Sequence, residues 1–243
     1  MLQPERTTTD TLLGGRVQLE QPETGYRAAI DSVFLAAAVP IESGETALEL
    51  GLGVGSASLC LLARVPGITV QGIEHDARMA ELAQRNAALN GVIEKLAVIC
   101  GDITARLEHA PFDHVFCNPP FHDTAAHGEG ASSSHMPAEH IRLWIRTAAR
   151  NLKPRGQLTL IHRADALANI LNALGDEFFG AIRIMPVSSY ANESAKRVLV
   201  SAVKDRKTPL ELLPPLIVHN DQGGYTDRSE NILRQAAPLP MKG

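Results

Sequence analysis

From residue 45 onward, short apolar runs alternate with amphipathic ones. This restricts the chain to a mainly parallel sheet with helices on both faces. Residues 47–50, 68–73, Leu96–Cys100, 114–117 and 157–161 read as strands. Ser56–Arg64 and residues 76–90 read as helices, the second ended by Gly91. Ile141, Trp144, Ile145, Ala148, Ala149 and Leu152 recur at i, i+3, i+4, i+7, i+8 and i+11, one apolar stripe of a further helix. Residues 166–174, with Asp165 as cap, make another helix, and 181–187 with 197–203 a closing strand pair. Ahead of this core, residues 1–44 read as an extension. It holds a β-hairpin turning at Gln21, Pro22, Glu23, Thr24 and Gly25, then a short helix capped by Asp31-Ser32 and stopped at Pro40. Residues 45–243 form the main domain.

The chemistry-bearing residues fall where strands end. Glu49, Gly51, Gly53 and Gly55 follow the first strand of the core and open a helix, so a ligand can approach the backbone closely. The spacing departs from G-x-G-x-x-G, with Ser56 and Ser58 where third glycines would fall, and this excludes a dinucleotide fingerprint. Glu49 adds a carboxylate near a cationic ligand, and Glu74 ends the next strand, placed for two ribose hydroxyls. Asp102 follows the third strand and can accept from an adenine amino group. With Asn118 after the fourth strand, Glu49, Glu74 and Asp102 fall at the carboxyl ends of four successive strands, the edge at which open α/β sheets bind ligands.

Asn118, Pro119, Pro120 and Phe121 follow the fourth strand. Two prolines hold the backbone extended and leave carbonyls free to accept. The Asn118 side-chain oxygen and the Pro119 carbonyl can then grip both hydrogens of one planar amino group, and Phe121 offers a face to a flat ring. Residues 122–137 have almost no large apolar side chain and read as a substrate loop.

The net charge of −4 excludes a general attraction for polyanions. A nucleic-acid partner must therefore use a local patch. Arg142, Arg146, Arg150 and Lys153 form one flank of a helix, and a solvated face is the favoured reading over a phosphate track. Arg27, His122, Lys196 and Arg197 are scattered further candidates. Cys60, Cys100 and Cys117 lie in apolar runs without a C-x-x-C pair, so they read as core residues in a reducing compartment. His135, His140 and His162 lack metal-ligand spacing, and no metal is expected. The first residues lack a signal-peptide pattern, and 33–41 is too short to span a bilayer, so the cytoplasm is expected and no membrane partner. Nothing in the sequence sets an oligomeric state.

With these motifs in this order, the chain resembles the class I S-adenosylmethionine-dependent methyltransferases of the small N-methyltransferase type, over about residues 24–228. More narrowly it resembles the bacterial tRNA1(Val) adenine-N6-methyltransferases, through Gly25-Tyr26-Arg27, Ile30-Asp31-Ser32, residues 152–163 and the tail around His219, Asn220 and Tyr225. Phe121 stands where related enzymes often have Tyr. The resemblance implies a Rossmann-like, doubly wound, seven-stranded sheet whose last pair includes one antiparallel strand. It implies S-adenosylmethionine as cofactor, held by Glu49, Gly51, Gly53, Gly55, Glu74, Asp102 and Asn118. The implied reaction is methylation of an exocyclic amino group, adenine N6 in tRNA first. A protein glutamine amide, guanine N2 in ribosomal RNA and a non-catalytic binding module are the alternatives.

Overall fold

The computed structural model describes residues 6–24, 30–104, 107, 111–120 and 138–241. Its centre is a nine-stranded sheet. Seven strands carry it: β3 (Thr46–Leu50), β4 (Thr69–Glu74), β5 (Leu96–Cys100), β6 (Phe112–Cys117), β7 (Leu152–Arg163), β8 (Phe179–Ser188) and β9 (Arg197–Lys204). Their spatial order is β8-β9-β7-β6-β3-β4-β5, and β9 alone runs antiparallel to both neighbours. This order, with one antiparallel strand in the last pair, is the one the resemblance implies. The other two strands, β10 (Glu211–Leu212) and β11 (Leu216–Ile217), pair in succession with β8. They amount to one edge strand interrupted at Pro214 and Pro215, which have no N–H to give the ladder.

Each face of the sheet buries its own apolar cluster. Ala47, Phe116, Ile161 and Leu199 point to the face covered by α1 (Ile30–Ala38), α2 (Ser56–Arg64), α3 (Ala77–Leu89) and α6 (Asp227–Gln235). Leu48, Leu50, Val115, Cys117 and Leu160 point to the other, covered by α4 (Ala138–Asn151) and α5 (Leu167–Asp176). This period of two, with both faces apolar, is why the central strands read as continuous hydrophobic runs. Helix ends are satisfied by side chains, some of them distant in sequence. Asp76 caps α3 by accepting from the Arg78 N–H. The Arg64 guanidinium donates to Ala36 and Val39 carbonyls at the end of α1, and Lys204 Nζ donates to the Ala149 and Leu152 carbonyls after α4.

Four expectations are corrected. The N-terminal hairpin exists, but β1 (Thr7–Leu12) pairs with β2 (Val17–Pro22), so the chain turns at residues 13–16 and Pro22 ends a strand. Residues 25–29, including Arg27, lie outside the described residues. Asp31 lies inside the first turn of α1 and pairs with Arg197 at 3.0 Å. Asp165 lies inside a 3-10 turn, Ala164–Ala166, and the N-cap position of α5 falls on Ala166. Cys100 is exposed, whereas Cys60 and Cys117 are buried as expected.

Candidate active site

Parallel pairing brings the strand ends level. Leu50 lies opposite both Ile73 and Cys117, and Glu74 lies opposite Cys100. The residues that follow, Gly51, Asp102 and Asn118, therefore emerge along one rim with Glu74.

The glycine turn between β3 and α2 is built on left-handed backbone: φ is +69° at Gly51, +56° at Gly53 and +85° at Gly55. Gly51 needs glycine twice over. A Cβ there would also meet the Trp144 ring at 2.5 Å. The turn is pinned from below by the Leu52 N–H to the Ile73 carbonyl at 2.9 Å. The Leu52 side chain fills a notch that exists because residue 72 of β4 is glycine: a Cβ there would meet it at 2.6 Å. From the side, Asn86 of α3 donates to the Val54 carbonyl at 2.9 Å and exchanges hydrogen bonds with the Glu20 backbone of β2. Trp144, Gly72 and Asn86 were missed as site-building residues. Asn86 left a trace, being polar on the buried face of α3 with Ala80, Ala83 and Ala87.

The acids differ sharply. Glu74 is buried; one carboxylate oxygen accepts from the Gly53 N–H at 2.7 Å and the other from the Asp76 N–H at 2.9 Å. It thus stands against the glycine turn, where a ribose would lie. Glu49 is only 3% exposed. It shares the face of Ala47 and is turned into the first turn of α2, accepting from the Ser58 N–H at 3.0 Å and from the Ser58 hydroxyl. Burial pushes its carboxyl up to about 8 against those hydrogen bonds, with the Glu74 charge adding to the rise. Glu49 thus sits beneath the turn and braces the first turn of α2. Asp102 is exposed and accepts from Thr104 N–H and hydroxyl at 2.7 and 2.6 Å, bonds that hold its pKa below the usual carboxylate range.

Asn118 is one of a small number of described side chains that keep a buried polar atom unpaired. Its Oδ1 is buried, and no group among the described residues donates to it. Buried acceptors are nearly always paired, because an unpaired one forfeits roughly 1–3 kcal/mol. Pro119 beside it is buried and Pro120 exposed. Phe121, His122 and His135 lie outside the described residues. The residues present fit a nucleoside cofactor with an amino-bearing acceptor: left-handed glycines against a buried acid, and an unpaired amide oxygen one strand away.

The expected basic row is split between elements, with Arg142, Arg146 and Arg150 on α4 and Lys153 in β7, and among the described residues Arg150 is the one of the four without an ion pair. Arg142 pairs with Asp176 at 3.4 Å, Arg146 with Glu177 at 3.0 Å and Lys153 with Asp113 at 2.7 Å. Among the described residues no His/Cys/Asp/Glu group of three or more is arranged to hold a metal, and no helix is long and apolar enough to cross a membrane.

The family model for the methyltransferase small domain matches residues 27–186. A tRNA1(Val) (adenine(37)-N6)-methyltransferase of Porphyromonas gingivalis is 27% identical over 90% of this chain and 91% of its own. One of the same name from Shewanella is 26% identical over 84% and 89%. The crystal structure of a predicted O-methyltransferase from Agrobacterium tumefaciens, 29% identical, superposes with a TM-score of 0.73 over 86% of this chain and 98% of its own. A T. thermophilus 16S rRNA N2 methyltransferase in complex with AdoMet and guanosine, 22% identical, shares the fold at a TM-score of 0.61 over 82% of this chain and 50% of its own. The glycine turn, the acid that braces it and the family match converge, and the chain belongs to the methyltransferase small domain family as an S-adenosylmethionine-dependent methyltransferase.

Proposed function

We propose that this enzyme methylates the exocyclic N6 of an adenine in tRNA. The observation that carries the reading is the buried, unpartnered Asn118 Oδ1, adjacent in the sheet to the glycine turn. An acceptor kept dry and unpaired is prepared for a donor that arrives with the substrate. A planar NH2 supplies such a donor. The two relatives named above support adenine and tRNA as its source.

Gly51, Gly53, Gly55, Glu74 and Asp102 would hold the cofactor, and Glu49 would act through Ser58 by fixing the start of α2. S-adenosylmethionine, when bound, supplies an electrophilic methyl group on its sulfonium. Asn118 Oδ1 and the Pro119 carbonyl would each accept one amino hydrogen. That turns the nitrogen lone pair out of conjugation with the ring and aims it along one line. Orientation of this kind can supply on the order of 7–11 kcal/mol of a barrier. Phe121 would stack on the extruded base, worth roughly 1–3 kcal/mol. Held this way, the methylated nitrogen would release one proton to solvent, so the site would need no strong general base. The same reading puts the enzyme in the cytoplasm with its RNA.

Transfer of labelled methyl to total tRNA, followed by nucleoside analysis, tests this. N6-methyladenosine is expected. Label in N2-methylguanosine, or in a protein fraction with none in RNA, would replace adenine by one of the other planar amino acceptors.

A further inference from the structure

The rim that carries Asn118 continues across β7, β9 and β8, and bears a cluster that the transfer chemistry above does not use. In the loop between β8 and β9, the Tyr190 ring lies 5.5 Å from that of His219, tilted by 34°. His219 in turn stacks on Tyr225 at 5.2 Å and 18°. Tyr190 is the outermost of the three and 37% exposed. The turn holding His219 and Tyr225 does not depend on it. The His219 N–H donates to the Ser189 carbonyl, His219 and Tyr225 form a β-bridge, and Asn220 Oδ1 accepts from the Gln222 and Gly224 N–H groups. An aromatic ring left open on a surface whose framework holds without it is poised to bind something flat.

Charge along the same rim points to the partner. Lys196, six residues after Tyr190, is exposed and makes no ion pair among the described residues. Its neighbours Arg197 and Arg163 are paired with Asp31 and Asp165. Arg163, Ala164, Asp165, Ala195, Lys196 and Arg197 line a surface depression of about 340 Å³. In the strand order β6-β7-β9-β8 this depression lies between Asn118 and Tyr190. Three strand spacings separate those two, roughly 14 Å at about 4.8 Å each.

Resting on the function proposed above, we infer that Tyr190, backed by His219 and Tyr225, is a stacking platform for a second unpaired base of the RNA, with Lys196 on the phosphate backbone between that base and the one at Asn118. Stacking tolerates any base, so the platform adds affinity and register. One unpaired cation suits a backbone contact in a chain of net negative charge.

Steady-state transfer to an unmodified tRNA transcript tests the platform. Tyr190→Ala is expected to raise KM for the transcript roughly 5- to 100-fold, with kcat and cofactor affinity held within about twofold, the pattern of lost uniform binding. Tyr190→Trp should restore the wild-type KM. Lys196→Ala should reduce the slope of log KM against log salt by roughly 0.7. An unchanged KM in Tyr190→Ala, with the wild type still methylating the transcript, overturns the platform and leaves the proposed function standing. Equal losses in the Ala and Trp variants with a lowered melting temperature would make Tyr190 structural and overturn it too. A wild-type enzyme that methylates no RNA removes the proposed function itself.

Discussion

Two side chains at the rim, Asn118 and Glu49, hold polar groups under conditions that folding alone does not favour. Asn118 Oδ1 is buried without a donor, so Asn118→Ala removes an acceptor that contributes nothing to the fold. The variant is expected to lose roughly 10²–10³-fold in kcat, as when one oriented polar contact to a reacting group is removed. Its melting temperature should not fall, and its cofactor affinity should stay within about tenfold. A variant that stays active would take Asn118 out of the reaction. Glu49 carries a pH signature. Its pKa rises from 4.5 to about 8 on folding, chiefly through burial. Between those values the folded state binds more protons than the unfolded. The stabilisation is therefore complete below pH 4.5 and is lost as pH rises through 8. Glu49→Gln is neutral at every pH, so its melting temperature should gain on the wild type as pH rises from 4.5 to about 8. A constant difference across that range would show the carboxyl already charged when neutral solution is reached.

At the scale of elements, the glycine turn depends on partners distant in sequence. Gly51→Ala must hold an L-residue at φ +69° and push aside the Trp144 ring. A loss of about 1–3 kcal/mol is expected by denaturant titration, together with weaker cofactor binding by calorimetry. Unchanged stability and affinity would mean that the turn relaxes freely. The strands of the core and the acids at their ends were legible in the sequence because apolar runs and glycines state their own local geometry. The supports were not. Trp144 read as one more residue of an apolar stripe, Gly72 as a neutral residue inside a strand, and Asn86 as part of a helix. Their roles exist only once α4, β4 and α3 are packed against the turn. The hairpin went astray for a different reason. Gly14-Gly15 is itself a strong turn signal, but Thr7–Leu12 ahead of it has too few apolar residues to announce a strand, so the Pro/Gly run Gln21 to Gly25 drew the turn instead. Pairing with Val17–Pro22 decided the matter.

Across the whole molecule, both ends of the chain close over the same face of the sheet. Leu13, Val17, Leu19, Phe34 and Leu35 join one core with Leu59, Leu61, Ile232 and Leu239. Arg16 donates to the Gln235 carbonyl, and the Leu239 N–H to the Ala37 carbonyl. The boundary drawn at 44/45 by motif is crossed by this packing, so a chain begun at residue 45 would expose the α2 side of the sheet. It is expected to be insoluble or to lack a cooperative melt; a soluble, cooperatively melting fragment would show the extension to be dispensable. The contact of Trp144 with Gly51 has a practical side. This chain has a single tryptophan, and its indole touches the loop on which the methyl donor would rest. Intrinsic emission should thus serve as a built-in optical readout, altered by titrating S-adenosylmethionine and offset beforehand in Gly51→Ala. A spectrum indifferent to both would mean that the indole does not sense its neighbour.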